Sequence, residues 1–194
     1  MKQRLFFCFL FLFALLFSSC MTTSSRGTTV SRSLTDVGIK SETQLYKFFM
    51  ANNPLADKKM VRRLASYYIK EAQEEGINSD CAWVQMCLET GFLRFGNLVS
   101  ADMHNYCGLG AIDEAHRGES FPTEQQGVRA HIQHLHAYAT TEEHKLYNKL
   151  IDPRYKWVSP RGKAPTIFEL AGTWAADTEY GVKLDALLTQ LEKF

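Results

Sequence analysis

The sequence predicts a mainly α-helical domain that carries one long irregular segment. Three observations support this prediction. Apolar residues recur at helical spacing through most of the chain, capping residues and glycines stand at the ends of these runs, and no long alternation of apolar and polar residues favours a large sheet. We find no internal repeat and no second domain. About 150 residues remain after the N-terminal segments, enough for one domain with a substantial core.

The N-terminal residues are typical of a targeting signal. Lys2 and Arg4 precede an unbroken apolar run over residues 5–17, which is shorter than the roughly 20 residues of a membrane-spanning helix. Small residues before Cys20 resemble the lipobox of bacterial lipoproteins, although Phe17 stands where leucine is commoner. The resemblance implies a lipoprotein signal peptide over residues 1–19 and acylation of the Cys20 thiol. An ordinary signal peptide or an uncleaved anchor is the alternative.

Residues 20–41 are rich in serine and threonine and lack apolar periodicity, so we predict a flexible tether between the lipid and a domain over residues 42–194. The chain from residue 20 onward has twenty basic and twenty-one acidic residues, a formal net charge of −1. A basic stripe that would favour nucleic-acid binding is absent from the sequence.

The helices follow in order from their caps and apolar spacing. Asp57 is a candidate N-cap and Gly76 a candidate C-terminus for the second helix, and Ser79 or Asp80 caps the third. Residues 91–122 are glycine-punctuated and irregular, with room for a small hairpin, and such a long segment is usually functional. Helices are predicted over residues 42–50, 57–76, 79–89, 123–139, 142–150, 166–172 and 179–192.

Glu89 is the first candidate catalytic residue. It lies in the last turn of a predicted apolar helix, where the helix dipole disfavours another negative charge. Burial beside Trp83, Phe92 or Phe95 would disfavour the carboxylate further. Both effects favour the protonated form that a general acid needs near neutral pH. The alternative is a solvated glutamate at a helix end.

Four strings that occur together and in order strengthen this prediction. They occupy residues 89–96, 104–110, 118–135 and 172–184, and they resemble the glucosaminidase domain of glycoside hydrolase family 73 over residues 60–190. The resemblance implies a lysozyme-like, two-lobed helical fold with a groove and a small flexible hairpin or loop lobe. It also implies cleavage of the β-1,4 bond after N-acetylglucosamine in peptidoglycan, with Glu89 as the acid.

A second carboxylate usually acts as base or nucleophile in glycoside hydrolysis. The resemblance favours Glu119, with Asp113, Glu114 and Glu124 as competitors. A substrate acetamido group acting as nucleophile would relax this requirement. The sequence therefore leaves retaining, inverting and substrate-assisted mechanisms open.

Three further residues are candidate substrate contacts by the same resemblance. Asn105 and Tyr106 lie in the second string, where glycines let the backbone approach a sugar closely. Tyr180 matches a tyrosine that lines the family's groove. A structural turn with Tyr106 in the core is the alternative for the second string, and core packing is favoured over a sugar platform for Trp174.

No metal or organic cofactor is expected. His131, His134 and His136 lack companion ligands at familiar metal spacing, so surface histidines are favoured. Cys81 and Cys87 should not pair within one helix, whereas Cys107 could pair with either or remain a buried thiol. A cysteine hydrolase built on Cys107 is disfavoured, because that residue lies inside a better-explained string.

The sequence thus predicts a monomeric, lipid-anchored peptidoglycan hydrolase in the cell envelope, facing the periplasm or the cell surface. The alternatives are a lytic transglycosylase on the same fold, a non-catalytic peptidoglycan-binding lipoprotein and, more weakly, a glycoprotein endoglucosaminidase. The identity of the membrane and the origin of the cell wall stay open.

Overall fold

The computed structural model describes residues 29–96 and 98–194, and within them the fold is mainly α-helical. The predicted signal peptide and Cys20 lie outside the described residues. In the described part, no helix has the length and hydropathy needed to cross a membrane. The elements are α1 (Glu42–Asn52), α2 (Lys58–Glu75), α3 (Ser79–Glu89), β1 (Ala111–Asp113), β2 (His116–Arg117), α4 (Glu124–Ala139) and α5 (Tyr180–Leu191), with 3₁₀ turns at Ala101–Met103 and Tyr155–Trp157.

Helix α3 lies at the centre of the core. Every residue from Ser79 to Cys87 is buried, and α2, α4 and α5 all pack against this helix. The Trp83 ring makes edge contacts with Phe49 and Tyr68 at centroid distances of 5.8 and 5.6 Å. Burial of such large side chains stabilises the fold by roughly 1.5–3 kcal/mol each. The core therefore holds the end of α3, and with it Glu89, in a fixed place.

Side-chain caps set most helix ends where the sequence predicts them. The Asp57 carboxylate accepts hydrogen bonds from Lys59 N and Met60 N, and Gly76 ends α2 with a φ of 67°. The cap of α3 is Asn78 rather than Ser79 or Asp80, because the Asn78 side chain accepts from the amides of Asp80 and Cys81. The carboxylate of Asp80 instead accepts from Ile39 N and Lys40 N.

Residues 29–41 differ from the predicted flexible tether, because they pack on the helices. Val30 and Leu34 are buried. The Arg32 guanidinium forms ion pairs with Asp185 and Glu192 at 2.6 and 2.5 Å. A serine- and threonine-rich composition did not reveal these anchors, which depend on α5 more than 150 residues away in the sequence.

Two predicted helices are wrong because tertiary partners take their backbone groups. Over residues 142–150, the Glu75 carboxylate accepts from Tyr147 N and Asn148 N at 2.8 and 3.0 Å. Over residues 166–172, Ile167 N donates to Arg32 O at 3.0 Å, next to a β-bridge between Ser33 and Thr166. These bonds replace the helical i→i−4 pattern, so both segments form turns.

The irregular segment between α3 and α4 contains the small hairpin that the sequence allowed. Strands β1 and β2 pair antiparallel, with Ala111 opposite Arg117 and an irregularity in register before Asp113. Glu119 N donates to Leu109 O at 2.8 Å, which extends the pairing beyond β2. The hairpin thus brings residues 108–111 and Glu119 together beside the end of α3.

Candidate active site

Glu89 is the last residue of α3, and the chain leaves the helix there in an unusual conformation. Thr90 closes the helix, since its hydroxyl donates to Met86 O at 2.7 Å and accepts from Leu93 N at 2.9 Å. The next residues include Gly91, Phe92 and Leu93 with φ between 56° and 59°. Left-handed conformations are uncommon for residues other than glycine and cost about 1–3 kcal/mol each. Backbone strain therefore accumulates directly after Glu89.

A groove of about 420 Å³ opens over the Glu89 carboxylate. Its walls come from the end of α3, the segment that follows it, the glycine-rich residues 105–111 and the Trp174–Ala175 turn. Polar and apolar side chains line it together, as expected for a site that accepts a sugar. The fold therefore gives Glu89 both a fixed backbone and access to a ligand.

Two hydrogen-bond donors converge on one oxygen of Glu89. The Tyr180 hydroxyl, at the start of α5, donates to Oε1. The indole Nε1 of Trp174 donates to the same oxygen at 3.2 Å. The other oxygen, Oε2, lies toward Gly108, where an added Cβ would approach it at 3.8 Å. Gly108 has a φ of 65°, so a residue without a side chain both fits the turn and leaves Oε2 accessible.

Burial raises the pKa of Glu89 above its ordinary value, while the hydrogen bonds from Tyr180 and Trp174 oppose this shift. The physical cause is the loss of hydration of the carboxylate in the groove floor. A carboxyl group that keeps its proton at a higher pH than usual is suited to general acid catalysis. This direction agrees with the sequence prediction.

Tyr180 is the predicted substrate contact that the structure places at Glu89. Its hydroxyl also accepts from Gln85 Nε2 at 2.9 Å, and the side chain is only 5% exposed. Trp174, for which the sequence favoured a core role, is partly buried and lines the groove. Its ring packs on His134 and Tyr138 at centroid distances of 5.1 and 5.2 Å, so it serves packing and the site together.

Asn105 lies at the groove, whereas Tyr106 takes the core position that the sequence analysis gave as the alternative. Asn105 borders the groove, but its amide is engaged by the backbone: Nδ2 donates to Leu109 O and Glu119 O, and Oδ1 accepts from Leu109 N. These hydrogen bonds show that the Asn105 side chain holds the backbone of the loop together. Tyr106 is fully buried in the main core and packs against Gly127 of α4. It does not line the groove, because the turn directs its ring toward α4.

Glu119 lies beside the same glycine-rich strip. Its carboxylate packs against Gly110, where an added Cβ would meet Oε1 at 3.2 Å and Arg154 Cδ at 3.4 Å. Within the described residues, neither a salt bridge nor a hydrogen bond engages this carboxylate, and it does not line the Glu89 groove. Glu89 therefore lies next to Gly108, and Glu119 lies next to Gly110 of the same strip.

The competing carboxylates have other surroundings. Glu124 forms a bidentate pair with Arg63 at 2.7 and 2.8 Å. Asp113 is exposed and contacts His116 at 3.0 Å. Glu114 is exposed at the outer hairpin, in a separate open cleft with Arg117. Among these candidates, Glu119 is thus the carboxylate that packs against the glycine-rich strip, and it has no ion-pair partner in the described residues.

The prediction of surface histidines is wrong for His131, His134 and His136, which are 0%, 8% and 2% exposed. Each bonds a neighbour: His131 contacts Tyr68 and Gln85, His134 contacts Asp152, and His136 contacts Tyr155. The residue spacing did not predict the burial of these histidines, because α4 is packed on most of its faces. No cluster of His, Cys, Asp or Glu suited to a metal ion occurs in the part of the chain that the structure describes.

Cys81, Cys87 and Cys107 are free and buried. Burial raises the pKa of the Cys107 thiol well above its ordinary value, and the nearby Glu89 carboxylate adds to this shift. A nucleophilic cysteine needs the opposite shift. The geometry therefore disfavours a cysteine hydrolase.

Comparison with known proteins agrees with this arrangement. The family model described as "Glucosaminidase: Mannosyl-glycoprotein endo-beta-N-acetylglucosaminidase" matches residues 65–193. An uncharacterized protein of Borreliella burgdorferi is 43% identical over 150 residues, which cover 77% of this chain and 72% of that protein.

Two solved structures are similar to the chain. S. aureus Autolysin E, in complex with the muropeptide NAM-L-Ala-D-iGlu, matches with a TM-score of 0.53 at 14% identity, over 86% of this chain and 75% of that chain. The catalytic domain of the autolysin Auto from Listeria monocytogenes matches with a TM-score of 0.47 at 15% identity, over 80% and 98%. The first match shows that the chain shares its fold with Autolysin E.

Proposed function

The chain belongs to the glucosaminidase family, and from this premise we propose that it is a peptidoglycan hydrolase. We propose that it cleaves the β-1,4 bond between N-acetylglucosamine and N-acetylmuramic acid as an endo-β-N-acetylglucosaminidase. The observation that carries the proposal is Glu89, a partly buried carboxyl group with a raised pKa at the floor of a groove. The fold shared with Autolysin E, which was solved with a muropeptide, supports peptidoglycan as the substrate.

Glu89 acts as the general acid in this proposal. Its proton is transferred to the glycosidic oxygen as the bond to the leaving sugar breaks, and an oxocarbenium-like centre develops on the other sugar. Partial burial in the groove raises the pKa of Glu89, which favours the protonated carboxyl group that this step needs. Tyr180 and Trp174 hold the carboxyl group in one orientation during this step.

Glu119 is the proposed second carboxylate, acting as a base on water. In support, it faces the glycine-rich strip next to the groove and has no counterion within the described residues. Asn105 holds it through the hydrogen bond to its carbonyl group at 3.0 Å. Its position outside the groove lining also suits a substrate acetamido group as the nucleophile.

The same observation supports a second candidate, a lytic transglycosylase, in which Glu89 acts first as acid and then as base. In the described part of the chain, Glu89 is the one carboxylate that lines the groove. The reaction would leave an anhydro-muramic end instead of a reducing sugar. The family membership favours the hydrolase over this alternative.

Product analysis tests the proposal directly. Purified peptidoglycan is digested with the protein from residue 29 onward, and the new ends are identified by mass spectrometry after reduction. Reducing N-acetylglucosamine ends support the hydrolase, and anhydro-muramic ends support the transglycosylase. An absence of new ends would leave a non-catalytic peptidoglycan-binding protein, which sedimentation with peptidoglycan would reveal.

The variant Glu119→Gln tests the role of Glu119. Glu114→Gln, on the same hairpin segment, is the matched control. Loss of the second carboxylate should lower kcat by about 10²-fold or more, whereas the exposed Glu114 should be replaceable without effect. If azide or another small nucleophile restores turnover in the Glu119 variant, the base role is supported. An unchanged kcat would favour the acetamido mechanism.

We further propose that the protein is a monomer anchored to a membrane of the cell envelope by acyl chains on Cys20, facing the periplasm or the cell surface. The sequence resemblance to a lipobox supports this proposal, and two or more acyl chains suffice for stable anchoring. Radioactive palmitate supplied to cells that express the full chain should label the wild-type protein but not the Cys20→Ser variant. An unlabelled wild-type protein, or equal labelling of the two proteins, would refute lipidation at Cys20.

A further inference from the structure

A chain of buried polar side chains continues from Glu89 into the core. Gln85 Nε2 lies 2.9 Å from the Tyr180 hydroxyl. Gln85 Oε1 lies 3.0 Å from His131 Nε2, and His131 Nδ1 lies 2.8 Å from the Tyr68 hydroxyl. Gln85 is 1% exposed, and His131 and Tyr68 are fully buried. Three helices, α2, α3 and α4, contribute to this chain, and α5 contributes Tyr180.

We propose that this buried chain is a positioning device, which determines the oxygen of Glu89 that carries the catalytic proton. The inference rests on the proposed function, because it concerns the acid step at Glu89. Tyr68, His131 and Gln85 are positioning residues here, since they act only through Tyr180.

The direction of these hydrogen bonds follows from Tyr68, which lies at the end farthest from Glu89. The Tyr68 hydroxyl has one hydrogen, and its bonding partner in the described residues is His131 Nδ1. If Nδ1 carried the histidine proton, the Tyr68 hydrogen would be buried with no acceptor, which is unfavourable. Tyr68 therefore donates, and the proton of the neutral imidazole lies on Nε2.

The remaining donors follow one after another. His131 Nε2–H donates to Gln85 Oε1, so the amide group of Gln85 is directed at Tyr180 and donates to its oxygen. The Tyr180 hydroxyl must then donate to Glu89 Oε1. Every link has one donor and one acceptor, so reversing any link would leave a buried polar group unsatisfied.

The consequence for Glu89 is a defined proton position. Oε1 accepts from both Tyr180 and Trp174, which makes it the carbonyl-like oxygen of the protonated acid. The proton accordingly lies on Oε2, on the side of Gly108, where no side chain intervenes. A general acid with its proton fixed toward the substrate avoids the cost of reorientation in each turnover.

The surroundings keep this chain electrically neutral. Burial lowers the pKa of His131 to about 3, and the neighbouring His134 adds to this shift. Cys87, Cys107 and Tyr106 also face the chain, and burial raises the pKa of each above its ordinary value. His134, which acts on His131, is bonded to Asp152 at 2.7 Å. The imidazole thus relays orientation without taking up a proton at neutral pH.

Nitrogen-15 NMR of the histidine rings in the full-length protein tests the inference without any substrate. We expect His131 to be neutral from about pH 5 to pH 8 because of its low pKa. We expect the proton to lie on Nε2 because Tyr68 donates to Nδ1. Detection of the Nδ1–H tautomer, or of an imidazolium near pH 6, would overturn the proposal. Because the wild-type protein suffices for this measurement, the result does not depend on the folding of a variant.

Tyr68→Phe supplies the functional test, because it removes the hydroxyl that sets the direction. The Nδ1–H and Nε2–H tautomers should then coexist. We expect kcat on the acidic side to fall about tenfold with little change in KM, since the carboxyl group loses its fixed orientation. The basic limb of the pH–rate profile should move upward, because the bond from Tyr180 that lowers the Glu89 pKa is weakened.

Tyr155→Phe is the matched control. It removes a phenol that contacts Nδ1 of another buried histidine of α4, His136, at 3.0 Å, and that pair has no connection to Glu89. This variant should keep the wild-type profile. A Tyr68→Phe profile indistinguishable from the wild type would also refute the proposal. If the wild-type protein releases no glycan products, the proposed function fails. The tautomer measurement still decides the direction of the hydrogen bonds that run from Tyr68 to Glu89.

Discussion

Replacing Glu89 with glutamine should strongly lower turnover and should stabilise the fold at pH 8. Glutamine has nearly the same shape, and its carbonyl oxygen can accept the bonds that Oε1 accepts from Tyr180 and Trp174. Its amide nitrogen would occupy the Oε2 position beside Gly108 without a clash. Turnover should fall by about 10²- to 10⁴-fold, which is the usual contribution of a general acid.

The gain in stability follows from the raised pKa of Glu89. Below the ordinary carboxyl pKa of 4.5, Glu89 is protonated in both the folded and the unfolded protein, and ionisation has no effect. As the pH rises from the unfolded-state pKa through the higher folded-state pKa, Glu89 ionises more readily in the unfolded protein than in the folded protein. The wild-type protein therefore loses stability over this pH range. Each unit of pKa elevation corresponds to about 1.4 kcal/mol. The two proteins should therefore be equally stable near pH 4 and differ at pH 8.

Urea denaturation at both pH values measures the free energy of unfolding, and digestion of peptidoglycan measures turnover. Glu71→Gln is the contrasting control, since the Glu71 carboxylate is fully buried but paired with Arg129 at 2.7 Å. Neutralising it leaves Arg129 without its counterion and should lower stability by about 2–3 kcal/mol. An unchanged or lower stability of Glu89→Gln at pH 8 would show that the carboxylate is well solvated, and normal turnover would exclude Glu89 as the acid.

Two further predictions concern the walls of the site. Trp174→Phe keeps the ring packing but removes the Nε1–H bond to Glu89, so the basic limb of the pH–rate profile should rise by up to about one pH unit; a downward shift would contradict the assigned bond. Gly127→Ala would place a methyl group 1.8 Å from the His104 carbonyl oxygen. The free energy of unfolding should fall by about 3 kcal/mol or more, and a neutral effect would mean that α4 and the loop can separate.

The helices were predictable where local chemistry decides them. The Asp57 cap and the Gly76 terminus of α2 are visible in the sequence because each acts within a few residues of its own position. The wrong helix over residues 142–150 was not predictable in this way. Its backbone amides bond Glu75, 72 residues earlier in the chain, and such tertiary partners are invisible to periodicity.

The residues of the candidate site also fall into two groups, those predictable from local sequence and those decided by tertiary packing. The catalytic candidate Glu89 and its donor Tyr180 follow from strings of neighbouring residues, and the structure brings them into contact. The sequence left the roles of Asn105 and Tyr106 open. Asn105 borders the groove and bonds the loop backbone, whereas Tyr106 packs in the core against α4. A string identifies a loop, whereas packing decides which of its side chains face the groove.

Gln85 is the one missed residue that the sequence could have revealed. It stands four residues before Glu89, which places both on one face of α3. The rest of the helix from Cys81 to Cys87 is apolar and buried. A buried polar side chain such as Gln85 needs a hydrogen-bond partner. Because Glu89 lies one turn away on the same face, the two residues together indicate a polar path through the core. Glu89 can retain a directed proton in an apolar setting because this path, from Gln85 to His131 and Tyr68, satisfies each of its own groups.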